Sequence, residues 1–176
     1  MTQILYRTTQ LTTGDGRTVF GIAVPFGQVI EVSDGDGRPY KERFEAGSCR
    51  RTIQERGHKL KLLVGHDMRR LPIGKATALE ERDDGLHVEF AVSDTTAGND
   101  TLTAIRDGLV GGFSVGFSAI RDRFENDVLV RTEVALNEIS VTPFPAYSDA
   151  AIGGVRTSNL IIPRSVAQAR LNILDW

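Results

Sequence analysis

Apolar and polar residues alternate with a period of two over much of this chain, and the pattern predicts mostly strands. Residues 18–30, Thr-Val-Phe-Gly-Ile-Ala-Val-Pro-Phe-Gly-Gln-Val-Ile, are β-branched and aromatic with Gly and Pro between them, which suits a bent strand or a strand pair. Residues 32–39 are dense in Gly and Asp and read as a surface loop. From Lys59 the alternation puts Leu60, Leu62, Val64 and His66 on one face, a mostly buried strand ending at His66. Further strands are expected near 73–79 and 85–92, with the turn-rich Glu-Arg-Asp-Asp-Gly between them, then at 111–120, 128–130, 133–136 and 139–141.

Helical spacing is rarer. Ser48 precedes a short polar run closed by Gly57, a serine cap and a glycine stop. The segment 93–107 offers Asp94 and Thr96 as caps, Leu102, Ile105 and Leu109 at helical spacing, and Gly108 as a stop. Residues 166–174 read as a terminal helix. About seven strands against two or three helices, without regular strand-helix alternation, argue for a mainly β (α+β) fold built on an antiparallel sheet or barrel, not a doubly wound sheet.

Parity carries more detail in two places. Phe113, Val115 and Phe117 fall on one face of their strand, while Ser114, Gly116 and Ser118 leave the other almost bare, open to a close backbone approach. Val134 and Leu136 share the parity of Glu138, whereas Ile139 and Val141 take the opposite one. The apolar side therefore switches near residue 137, and a β-bulge there would explain it.

Composition sets outer limits. With 40% hydrophobic and 25% charged residues, the 176-residue chain is ordinary globular material, expected to form one domain over 1–160 with a tail, 161–176, that is helical or processed. One cysteine, Cys49, makes no internal bridge and favours a reducing compartment. A net charge of -2, scattered along the chain, gives no footprint for nucleic acid or an anionic membrane, and no apolar run reaches the ~20 residues needed to span a bilayer. A soluble, cytoplasmic protein is expected.

Ser114, on the bare face, is a candidate nucleophile, and a serine hydroxyl needs a base to take its proton. Three histidines are present. His58 lies in a polar patch and His87 lies mid-strand, while His66 ends an apolar strand beside a loop, where a rigid element delivers it to a rim. Glu138 is the candidate partner for the imidazole, with Glu133, Asp67 and Asp94 as rivals. Each has a structural alternative: Ser114 in a tightly packed strand, His66 bonded to a backbone carbonyl, and Glu138 as a rim carboxylate paired with arginine. Residues 65–75 lack the Gly and Ser/Thr of a phosphate loop, and the Gly-x-Ser-x-Gly elbow of an esterase is missing. No metal or cofactor motif occurs, so none is expected.

Five segments resemble the prohead serine proteases of tailed phages: Gly21-Ile-Ala-Val-Pro-Phe, Phe44-Glu-Ala-Gly-Ser, Gly65-His-Asp with Pro72-Ile-Gly-Lys, Gly112-Phe-Ser-Val-Gly-Phe, and Asn137-Glu-Ile-Ser-Val-Thr-Pro-Phe-Pro-Ala. The resemblance spans roughly residues 15–152. It implies a herpesvirus-assemblin-like fold, a closed or nearly closed antiparallel barrel of about seven strands with a few flanking helices. It also implies an endopeptidase of the immature capsid, in the host cytoplasm, that cuts scaffold protein or a scaffold-like segment of the major capsid protein, and itself. His66 and Ser114 match the family histidine and serine, and Glu138 matches the acidic position that the phage family offers in place of a second histidine. A homodimer is expected by the same route. A noncatalytic scaffold-binding module is the competing reading.

Overall fold

The computed structural model describes residues 16–32, 38–147 and 150–156; the centre of the 32–39 loop, the 166–174 helix and the 161–176 tail fall outside them. Nine strands and two α-helices occur among these residues: β1 (Thr18–Pro25), β2 (Ile30–Val32), β3 (Tyr40–Phe44), α1 (Arg50–Arg56), β4 (Lys61–Val64), β5 (Gly74–Arg82), β6 (Gly85–Val92), α2 (Thr96–Arg106), β7 (Gly112–Glu125), β8 (Val128–Thr142) and β9 (Ile152–Arg156). None of these helices is long and apolar enough to cross a membrane.

The expected barrel does not form. All nine strands belong to one mixed sheet of order β2-β3-β8-β4-β5-β6-β1-β9, with β7 against β8. β3 and β4 both run parallel to β8, so the sheet is not antiparallel throughout. Between β7 and β9 there is an isolated bridge, Gly112 to Ala151, where closure would require a ladder. Strand lengths also differ from expectation: the breaks seen near 131–133 and 137 are irregularities inside one 15-residue strand, not strand ends.

β8 organises the molecule. β7 pairs along it from Gly112–Thr142 to Glu125–Val128, through a tight turn in which Asn126 and Asp127 have φ of 47° and 66°. Two consecutive left-handed residues are what a hairpin turn matched to strand twist requires, and Asn and Asp tolerate them. With β7 on one edge, β3 and β4 must share the other, β3 at 128–131 and β4 at 139–141. Helix α1 fills the interval. The Val134 N–H donates to the Ser48 carbonyl (2.9 Å), and the Thr52 hydroxyl donates to the Val134 carbonyl (3.0 Å) while accepting from the Leu136 N–H (3.1 Å). The edge is thus satisfied along its length, as buried backbone groups require.

The caps differ in detail from the sequence reading. Cys49, not Ser48, caps α1 and makes no side-chain capping bond, and Gly57 stays right-handed as the chain runs into a short 3-10 turn. Thr95 caps α2, its hydroxyl accepting from the Gly98 N–H at 3.1 Å, and Gly108 ends the helix at φ 73° as expected. The core lies along the sheet, with Phe44, Phe90, Phe113, Leu62, Leu136 and Ile139 fully buried. Each contributes about 1.5–3 kcal/mol relative to exposure.

Candidate active site

The site forms where β4, β7 and β8 lie side by side. Antiparallel pairing places Ser114 opposite Ser140 and Gly116 opposite Glu138. Parallel pairing of β4 brings Val64 alongside Val141, so the chain leaving β4 emerges next to Ser140. It then reverses through Gly65 and His66, with φ of 56° and 60°, closed by the Asp67 N–H donating to the Val64 carbonyl at 3.2 Å. Two left-handed central residues match a type I′ turn, which glycine enters freely and histidine more readily than most side chains. The turn is anchored to β8: the Gly65 N–H donates to the Val141 carbonyl (3.1 Å) and the His66 N–H to the Ser140 hydroxyl (3.0 Å). His66 therefore sits in a turn beyond the strand, not on its last residue.

This anchoring aims the imidazole between the other two candidates. Nδ1 lies 2.6 Å from Glu138 Oε1, and Nε2 lies 2.8 Å from Ser114 Oγ. An ionised carboxylate accepts and does not donate, so with Glu138 ionised Nδ1 carries the proton, and Nε2 is left to accept from the Ser114 hydroxyl. The second carboxylate oxygen accepts from the Ser140 hydroxyl at 2.7 Å. Glu138 is 7% exposed and His66 44%, so a sealed carboxylate holds an imidazole at the rim. That charge–dipole contact is stronger for its low-dielectric surroundings.

The bulge occurs where parity implied it. Gly116 pairs with Glu138 and Phe117 with Leu136, leaving Asn137 as the extra residue of β8, its amide donating to the Ser118 hydroxyl at 3.1 Å. Upstream of it Val134 and Leu136 pack into the core, and downstream Glu138 turns to the site. The bare face of β7 has a different use from the backbone approach expected. A Cβ on Gly116 would fall inside van der Waals contact of Glu138 Oε1 and within 3.2 Å of its Cγ and Cδ. Gly116 makes room for the carboxylate.

The rivals are engaged elsewhere. His87 bonds Asp84 at 2.7 Å in the β5–β6 hairpin, and His58 is exposed in the 3-10 turn. Glu133 pairs with Arg51 and Arg121, Asp67 with Arg69 and Arg70, and Asp94 with Arg17. Ser140, which ties the His66 backbone to Glu138, was not singled out from sequence. Its parity with Glu138 was the available signal.

An alcohol bonded to an imidazole whose far nitrogen is held by a buried carboxylate can lose its proton as it attacks a carbonyl, which is the working arrangement of serine hydrolases. The profile of the caudovirus prohead serine proteases matches residues 5–161, and the chain belongs to that family. Among its relatives, the prohead protease of Enterobacteria phage HK97 is 30% identical over 149 residues, covering 82% of this chain and 64% of that protein. The chain therefore spans somewhat under two thirds of that relative's length. The solved capsid assembly protease of bacteriophage T4 aligns with 82% of this chain and 99% of its own, at 9% identity and a TM-score of 0.37.

Proposed function

We propose that this chain is a prohead maturation serine endopeptidase, with Ser114 as nucleophile, His66 as general base and then acid, and Glu138 as the group that orients the imidazole and balances its charge. The reading rests on the unbroken hydrogen-bond chain Ser114–His66–Glu138 in a member of this family. Ser114 Oγ attacks a peptide carbonyl as Nε2 takes its proton. The protonated imidazole then gives that proton to the departing amine, and water enters by the same exchange to release the acyl group. Donors for the oxyanion are expected from backbone N–H groups near Ser114, each supplying ~3 kcal/mol. The substrate in this reading is scaffold protein, or a scaffold-like segment of the major capsid protein, inside the immature capsid in the host cytoplasm. Self-cleavage and a homodimer accompany it.

Incubation with purified capsid and scaffold proteins tests the reading. A new fragment, suppressed by a serine-directed phosphonylating reagent and lost in Ser114→Ala but kept in Ser118→Ala, is expected. Binding without any fragment would establish instead the noncatalytic scaffold-binding module.

A further inference from the structure

Beside Ser114 lies a cavity of about 160 Å³ that the chemistry above does not use. Ala23, Phe44, Phe113, Val115, Phe117 and Tyr147 line it, and Ser114 itself forms part of the wall. A cavity of ~150 Å³ with apolar walls holds a benzene-sized group. Its rigidity comes from packing: the Phe44 ring meets Phe117 edge-on at 5.0 Å and Tyr147 at 5.7 Å.

Among the described residues, one charged group lines the cavity. Glu42 lines it and is 4% exposed, yet its carboxylate is already spoken for. Oε1 accepts from the Tyr147 hydroxyl at 3.0 Å, and Oε2 accepts from Arg131 at 2.6 Å. Arg131 in turn donates to Asp122 (2.8 Å) and Tyr40 (3.0 Å), and its guanidinium lies 5.4 Å from the Phe117 ring centroid. Burial, with the neighbouring Glu42 charge, raises the Tyr147 phenol and keeps it a donor. A cation entering the cavity would have to compete with Arg131 for Glu42, and an anion would face Glu42 with the guanidinium already engaged. Either pays desolvation without a free partner among the described residues.

We infer that this cavity is the specificity pocket of the enzyme and that it takes an apolar side chain of leucine or methionine size from the substrate residue whose carbonyl Ser114 attacks. The inference rests on the proposed nucleophile, because the pocket matters through its continuity with Ser114. Glu42 and Arg131 then shape and neutralise the pocket floor and do not select a charged residue.

Peptidyl diphenyl phosphonates differing in one side chain test this, since the Ser114 oxygen displaces phenol from phosphorus and the adduct is read by mass spectrometry. A leucine or methionine reagent should label at least ~10-fold faster than alanine, lysine or glutamate reagents. Ala146→Leu, at the exposed mouth of the cavity, should lower the ratio of leucine to alanine labelling rates. Fluorophosphonate labelling with equal rates across the series, or with lysine or glutamate fastest, would overturn the pocket but leave the nucleophile standing. Failure of every reagent, the fluorophosphonate included, would overturn both.

Discussion

Gly116 and Glu138 face each other across the β7–β8 ladder, and the absent side chain of the first provides the space in which the carboxylate of the second reaches His66. Gly116→Ala should push Glu138 off the imidazole without disturbing the core. Misplacements near 1 Å cost about 100-fold in rate, so peptide cleavage should fall by about that factor. The melting temperature should hardly move. Undiminished turnover in a well-folded Gly116→Ala protein would remove Glu138 from the mechanism.

Ser140 is fully buried and joins two parts of the site, accepting from the His66 N–H and donating to Glu138. Its replacement by alanine strands both partners, a loss of about 1–3 kcal/mol on urea denaturation. As a positioning residue it should lower kcat more than it raises KM, because it touches no part of the expected peptide path. An effect on KM alone would contradict this assignment.

Cys49, the N-cap residue of α1, is fully buried, and burial pushes its thiol from 9.0 up to about 12. In the folded chain it stays protonated while the unfolded chain loses the proton, so the unfolded state binds fewer protons and stability falls as pH rises. The loss should begin near pH 9.0 and continue toward about 12, at up to about 1.4 kcal/mol per pH unit. Denaturation curves for wild type and Cys49→Ala should diverge over that interval, the alanine variant lacking this component. Rapid alkylation of Cys49 in the native protein would show the burial to be wrong.

Glu42 and Arg131 form a buried pair, with side chains 5% and 9% exposed. Glu42→Ala leaves the guanidinium without its main partner and should cost about 3–5 kcal/mol. Joint replacement of Glu42 by leucine and Arg131 by methionine should recover most of that loss. Chemical denaturation of the three proteins gives the comparison, and additive losses in the double variant would mean that the two charges do not act as a pair.

The three candidate residues could be picked out because each carries a local sign. Ser114 stands on a bare face, His66 follows an apolar strand, and the parity switch at Asn137 marks the bulge that frees Glu138. What joins them was not legible. Parallel pairing of β4 with β8 rests on contacts more than seventy residues apart, as in the His66–Ser140 bond, and no local pattern encodes them. The same holds for Thr52, whose hydroxyl completes the edge of β8 from a helix that sequence alone placed nowhere in particular. The open mixed sheet was misjudged for a related reason. Alternation reports that a strand has two faces, but parallel partners and ring closure are properties of its edges.

The order of the three groups along the chain also sets a schedule. During synthesis the imidazole is made first and the alcohol 48 residues later, while the carboxylate trails the imidazole by 72. Until β8 leaves the ribosome, His66 has neither the carboxylate nor the Ser140 hydroxyl that aims it. In the proposed mechanism a half-made copy is thus inert, and the triad is complete once β8 is made, one strand before β9 finishes the sheet.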